Sequence, residues 1–130
     1  MRQKLVFLLL LISGEIKRDE LPMKSLAFFA LAALAEISGC YCFWVVQKNQ
    51  KNIWLILAGL ISLISFASIL ARVDSPFAGR AYAAYGGIYI LMSIVWGICV
   101  EKTWPDRWDL AGMAMALGGT LMILFGPRRG

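Results

Sequence analysis

Four long apolar runs alternate with short polar segments along this chain. They cover Ser25–Val46, Ile53–Ala71, Ala81–Val100 and Leu110–Phe125, the last starting a turn earlier if Trp108 opens it. An α-helix rises about 1.5 Å per residue, so runs of this length approach the roughly 30 Å hydrocarbon layer of a bilayer. Inside lipid a segment must satisfy its own backbone hydrogen bonds, so helices are the expected form. The pattern predicts an all-α fold with four transmembrane helices per protomer. The connections are short and polar: Gln47–Asn52 carries Lys48 and Lys51, Arg72–Arg80 carries Asp74, Pro76 and Gly79, and Glu101–Asp109 carries Pro105. Pro127 ends the last helix, because its ring clashes with the preceding turn and it has no N–H to donate. Trp44, Trp54, Trp104 and Trp108 stand at run ends, where membrane proteins place interfacial aromatic anchors.

Residues 1–22 read differently. Arg2 and Lys4 precede a short apolar stretch, Leu5–Ile12. That stretch is too short to span and has the length of a signal-peptide hydrophobic core. No small-x-small cleavage pattern follows. A charged segment, Gly14–Glu20, closes at Leu21-Pro22, and Met23-Lys24-Ser25 reads as a fresh start. The division expected is an N-terminal extension over 1–22, with a signal-like segment as the alternative, and one four-helix transmembrane domain over 23–130.

Composition narrows the class. The chain is 130 residues long, 60% hydrophobic and 16% charged, with a mean hydropathy of +0.71. Soluble domains carry about 25% charged residues, so the bilayer is the first partner implied. The net charge of +5 comes from loops and termini, as membrane-flanking cations do. No element carries a basic stripe with interleaved aromatics, and nucleic-acid binding is not expected. Four spans place Lys24, Arg72, Arg80, Arg128 and Arg129 on one side and Lys48, Lys51, Lys102 and Arg107 on the other. Counted from Met23, this near balance fixes no orientation by the positive-inside rule and allows insertion both ways, whereas a retained extension, with Arg2, Lys4, Lys17 and Arg18, biases the first side toward the cytoplasm.

The absence of histidine removes the commonest metal ligand and the commonest general base. Cys40, Cys42 and Cys99 match no zinc or redox spacing and read as small buried apolar residues. No enzymatic activity, cofactor or metal is expected.

Glu36 carries the candidate chemistry. It falls at the middle of the first run, with Ala32, Ala33, Gly39 and Cys40 at helical spacing and Phe29 and Phe43 a turn further. A carboxyl at bilayer depth is costly, and such groups face a bundle interior or cavity and mark proton or substrate paths. Burial away from water disfavours the ionised form of a carboxyl, so such a group can take up and release a proton, or pair with a cation once ionised. The plainer alternative is a protonated carboxyl that only donates an interhelical hydrogen bond. In the third run Tyr82, Tyr85, Gly86, Tyr89, Ser93 and Trp96 share one stripe about 100° wide. Aromatic faces attract organic cations, although such a stripe also serves ordinary packing. Gly86-Gly87 marks either a bend or a close packing contact. In the fourth run Gly112, Gly118 and Gly119, among other small residues, suit tight helix association, as a dimer contact or within one protomer.

Several strings here resemble one family. They are Ala35-Glu36-Ile37-x-Gly39-Cys40, Asn52-Ile53-Trp54-Leu55, Gly79-Arg80-Ala81-Tyr82-Ala83-Ala84-Tyr85-Gly86-Gly87-Ile88-Tyr89 and Asp109-Leu110-x-Gly112. From Met23 to Gly130 the chain resembles the YnfA family of small bacterial inner-membrane proteins, related to the small multidrug resistance transporters. The resemblance implies an antiparallel homodimer in a bacterial inner membrane. It implies that Glu36 binds either protons or a cationic substrate. Ala32 and Gly39 match the small residues beside that glutamate, and Tyr82 and Tyr85 match substrate-contacting aromatic positions. Tyr85 stands where the related transporters have tryptophan. With the stripe, this assigns Tyr82, Tyr85 and Trp96 to the pocket and the bend to Gly86 and Gly87. The activity expected is proton-coupled efflux of small hydrophobic or quaternary cations. The alternatives are export of a guanidinium-type cation and a non-transporting structural or regulatory membrane protein.

Overall fold

The computed structural model describes residues 21–49 and 52–127, and these form four helices. Helix α1 spans Leu21–Asn49, α2 Trp54–Leu70, α3 Ala78–Trp96 and α4 Arg107–Phe125. The division at residue 22 concerns a segment that lies, up to residue 20, outside the described residues. Each helix overlaps one apolar run, with its ends set by local chemistry. Pro22 sits in the first turn of α1, where a missing N–H has no partner to lose. Asn52 Oδ1 accepts from Trp54 N at 3.1 Å at the start of α2. Helix α3 begins three residues before the apolar run, because the extended backbone of Phe77 lets its carbonyl accept from Arg80 N and Ala81 N, each at 3.2 Å. Arg80, expected in the loop, is therefore helical. Helix α4 opens on a reciprocal cap: Asp106 Oδ1 accepts from Trp108 N (2.7 Å) and Asp109 N (2.9 Å), and Asp109 Oδ2 accepts from Asp106 N (2.9 Å).

Helices α1, α3 (with the turn that follows it) and α4 are long and apolar enough to cross a membrane. Helix α2 is equally apolar but has 17 residues, a rise of about 25 Å. A span that short is accommodated in general by local thinning of the bilayer and by interfacial side chains, and Trp54 at its start is exposed.

The helices pack in the order α2, α1, α3, α4, with α1 and α3 central. Glycines set the α1–α2 contact. A Cβ on Gly39 would lie 2.9 Å from Leu63 Cγ and 3.0 Å from the Gly59 carbonyl oxygen, and one on Gly59 would lie 2.9 Å from the Gly39 carbonyl oxygen. The backbones meet there, as small residues permit in membrane helices. Ser62 Oγ donates to the Ala35 carbonyl at 2.7 Å and lies 2.9 Å from Ser38 Oγ. The α3–α4 contact uses Gly87, against which Thr120 and the Ala116 carbonyl pack. Thr120 is buried and its Oγ1 donates to the Ala84 carbonyl at 3.1 Å.

The core is small: Phe29, Ala32, Ala33, Ile37, Leu70, Ala84 and Tyr85. Many large apolar side chains instead face outward, Ile64, Met115 and Met122 among them, and acyl chains are their natural cover. Cys40 and Cys99 also face outward and only Cys42 is partly covered, which differs from the burial expected of all three. Lipid accounts for the difference, since a small apolar side chain is as well placed against acyl chains as in a core.

Helix α3 runs unbroken through Gly86 and Gly87. Its irregularity comes ten residues later. Gly97–Glu101 forms a π-helical turn, closed by Thr103 N donating to the Gly97 carbonyl at 2.9 Å and by Lys102 in the left-handed conformation at φ 58°.

Candidate functional site

Three helices build a cavity around Glu36. Helix α1 supplies the carboxyl, α2 supplies Phe66, Ala67, Leu70 and Ala71, and α3 supplies Tyr82 and Tyr85. The cavity holds about 340 Å³, within the range of about 300–1,000 Å³ usual for small-molecule sites. Ala67, Ala71 and Tyr82 are exposed at its mouth. Glu36 is half-buried, and Ala32, Ala33 and Phe29 lie fully buried on the neighbouring turns of α1.

Tyr85 fixes the carboxyl. Its hydroxyl donates to Glu36 Oε2 at 2.5 Å. An O–H bond to a carboxylate of this length belongs to the strong, charge-assisted kind. The phenol ring is itself wedged, with centroids 6.0 Å from Phe29, 5.7 Å from Phe66 and 5.9 Å from Tyr89. Rings from all three helices thus set the position of one hydroxyl, and that hydroxyl orients one carboxyl.

The other residues expected at the site divide. Tyr82 and Tyr85 line the Glu36 cavity. Ala32 is fully buried in the core beside it. Gly39 faces α2, where it admits Gly59. Trp96 lies three turns from Tyr85 along α3 and lines a separate cavity with Tyr41, Trp44, Tyr89 and Glu101. Gly87 is the packing contact with α4, while Gly86 has open space where a side chain would stand. Gly112, Gly118 and Gly119 also have nothing within 4 Å of a Cβ position among the described residues, so none of these residues packs at those positions of α4.

Phe66 and Leu70 form the α2 wall without being marked in the sequence. Helix α2 carries no charged residue, and its polar side chains are only Ser62, Ser65 and Ser68, so its pattern does not distinguish a cavity wall from lipid contact. The serines also turn away from the cavity. Ser38 and Ser62 bind each other across α1 and α2, and Ser93 Oγ donates to the Tyr89 carbonyl at 2.8 Å.

Residues 22–130 match the profile of a family described as "Uncharacterised BCR, YnfA/UPF0060 family". The chain belongs to this family. Among its relatives is a protein of Ectopseudomonas mendocina (strain ymp) called "UPF0060 membrane protein". It is 51% identical over 106 residues, covering 82% of this chain and 96% of the relative. No solved structure matches the chain. Membership agrees with the helical architecture, and the chain is a multi-pass membrane protein of the UPF0060 family.

Proposed function

We propose that this membrane protein exports small hydrophobic or quaternary cations in exchange for protons, and that Glu36 binds the two alternately. The observation that carries this reading is a single carboxyl at the middle of α1, oriented by a tyrosine and facing an otherwise apolar and aromatic cavity. When Glu36 is ionised, a cation can enter the cavity and pair with it. Proton binding removes the charge and weakens that pairing. Exchange follows because proton and cation compete for the same oxygens; a ligand drives a transition only through differential affinity.

The cavity walls favour a hydrophobic cation over guanidinium. A guanidinium ion presents five N–H donors and needs several acceptors. Beside Glu36 the lining offers only two phenol oxygens, and the nearby serines are engaged elsewhere. Ring faces and aliphatic walls instead suit a quaternary ammonium.

The working unit we propose is an antiparallel homodimer in a bacterial inner membrane, with two Glu36 carboxyls sharing one path. The α4 positions Gly112, Gly118 and Gly119, open among the described residues, support a second copy there. Counted from Met23, the near-even charge of the two sides supports insertion in both orientations. The chain is proposed to be a transporter without enzymatic activity.

The direct test is flux in proteoliposomes under an imposed pH gradient, with benzyltrimethylammonium and guanidinium as probes. Saturable, gradient-dependent movement of benzyltrimethylammonium, faster than that of guanidinium, is the expected result. Flux no greater than in protein-free liposomes for both probes would overturn the reading.

Tyr85→Phe tests how the carboxyl is held. The ring contacts remain and only the hydroxyl is lost. A hydrogen bond to a charged group contributes about 1.5–3 kcal/mol, which corresponds to roughly ten- to a hundredfold in affinity. The variant is expected to fold normally and to bind benzyltrimethylammonium at least about tenfold more weakly. Equilibrium dialysis of the purified protein measures this.

A further inference from the structure

A second carboxyl at the far end of α3 meets the same kind of surroundings as Glu36. Glu101 closes the π-helical turn and lines two adjoining cavities. One, of about 310 Å³, lies between α1 and α3 and is walled by Tyr41, Trp44, Tyr89 and Trp96. The other, of about 390 Å³, lies between the end of α3 and the start of α4, against Trp104 and Pro105. Ser93 also lines both. We infer that this vestibule is a second binding site for organic cations, separate from the Glu36 cavity and placed at the membrane face bearing the α3–α4 connection.

Three features make it a built site rather than a row of interfacial anchors. First, the carboxylate lies beside the helix at Gly97. A Cβ on Gly97 would lie 4.0 Å from Glu101 Oε2, so the bare glycine leaves the carboxylate room to lie along α3. π-Helical turns are frequent at functional sites because they re-aim the residues they carry. Second, the charge is unspent. Glu101 pairs with no cation among the described residues. Lys102 beside it turns away, its Nζ donating to the Cys99 carbonyl at 2.6 Å, and Asp109 in the adjoining cavity is engaged in the α4 cap. Third, the indole N–H of Trp96 is buried without an acceptor. Unsatisfied buried donors are rare in native structures, and an organic cation that also carries an oxygen acceptor, as an ethanolamine headgroup does, would satisfy this one.

One ring of the wall already carries a cation from its own helix. Lys48 Nζ stands 5.1 Å from the centroid of the Trp44 ring. Tyr41 and Trp96 pack edge to face at 5.4 Å, one ring from each side of the cavity. A compact organic ammonium would find several ring faces and one free carboxylate there. The lysine over Trp44 is the intramolecular competitor it must displace or avoid. Eight residues of α1 separate Glu36 from Trp44, about 12 Å along the axis, so the two sites are distinct but consecutive along one helix interface. A role as an entry or exit station rests on the exporter reading above; binding in the vestibule does not.

The test removes the Glu36 site first. The purified full chain carrying Glu36→Gln is dialysed against benzyltrimethylammonium and compared with the double variants E36Q/E101Q and E36Q/W44A. Both added changes fall on exposed residues, and folding is checked by circular dichroism. The expected result is residual binding in Glu36→Gln that falls at least tenfold with Glu101→Gln and severalfold with Trp44→Ala. Absence of residual binding in Glu36→Gln, or binding unchanged by Glu101→Gln, would overturn the proposal. Repeating the measurement in nanodiscs distinguishes a free solute from a lipid headgroup. Binding suppressed by phosphatidylethanolamine but not by phosphatidylglycerol identifies a headgroup ammonium as an occupant and supports the site. Wild-type flux under a pH gradient reports on the exporter reading separately, so either claim can fail alone.

Discussion

Glu36→Gln is expected to reduce proton-driven cation flux to the level of protein-free liposomes, while insertion, fold and thermal stability stay close to wild type. The substitution separates charge from shape. Glutamine has the same length and retains an oxygen that can accept the Tyr85 hydroxyl, whose bond to Glu36 spans 2.5 Å. The contacts that position the side chain therefore survive. What disappears is the ability to hold either a proton or a net negative charge. Without the charge, a cation in the cavity loses its one full Coulombic partner. Without the proton site, the pH gradient has nothing to act on. Glu36→Asp should give a partial phenotype, because its carboxyl stays titratable but is withdrawn by one methylene from the hydroxyl. Gradient-driven flux persisting in Glu36→Gln would remove Glu36 from the mechanism.

Gly87→Ala is expected to destabilise the protein by about 3 kcal/mol, at the upper end of typical overpacking costs, whereas Gly86→Ala should be neutral or slightly stabilising. The two glycines are adjacent but face different surroundings. A methyl group on Gly87 would overlap Thr120 Oγ1 and lie 2.6 Å from the Ala116 carbonyl oxygen, while one on Gly86 meets nothing within 4 Å. Rotating the Thr120 side chain cannot relieve the clash with a backbone carbonyl, so α4 itself must move. That movement also strains the Thr120 bond to Ala84. At position 86 the alanine gains only its better helix propensity, about 1 kcal/mol at most. Thermal unfolding in detergent, followed by far-ultraviolet circular dichroism, compares the pair directly. Equal stability of the two variants would show that α3 and α4 do not meet at Gly87.

The helices were legible because lipid imposes one rule on every span. A long apolar run needs a helix, so Ser25–Val46 and its three counterparts each appear as one, with ends displaced by a few residues where caps intervene. The Asp106–Asp109 cap and the extended Phe77 decide those ends, and neither is visible in hydropathy. Glu36 was legible for the same reason, as an acid at bilayer depth. Its partner Tyr85 stood out only as one ring of a stripe. The stripe did not show that Tyr85 faces Glu36 while Trp96 turns into another cavity, because helical spacing gives a face but not a neighbour. Glu101 was obscured by composition: among the charges of a connecting segment, one carboxylate resembles the rest until the π-helical turn lays it against α3.

The chain of contacts from α2 through α1 and α3 to α4 has a mechanical consequence. Glycine-lined backbone contacts lock α1 to α2 and α3 to α4, which makes two stiff hairpins. Between them runs a softer seam of aromatic rings, and the Tyr85–Glu36 bond crosses it. Loss or gain of one proton at that bond alters the join between the halves rather than the interior of either. On the exporter reading, any rearrangement that accompanies exchange is therefore expected at this seam, between two halves that each stay intact.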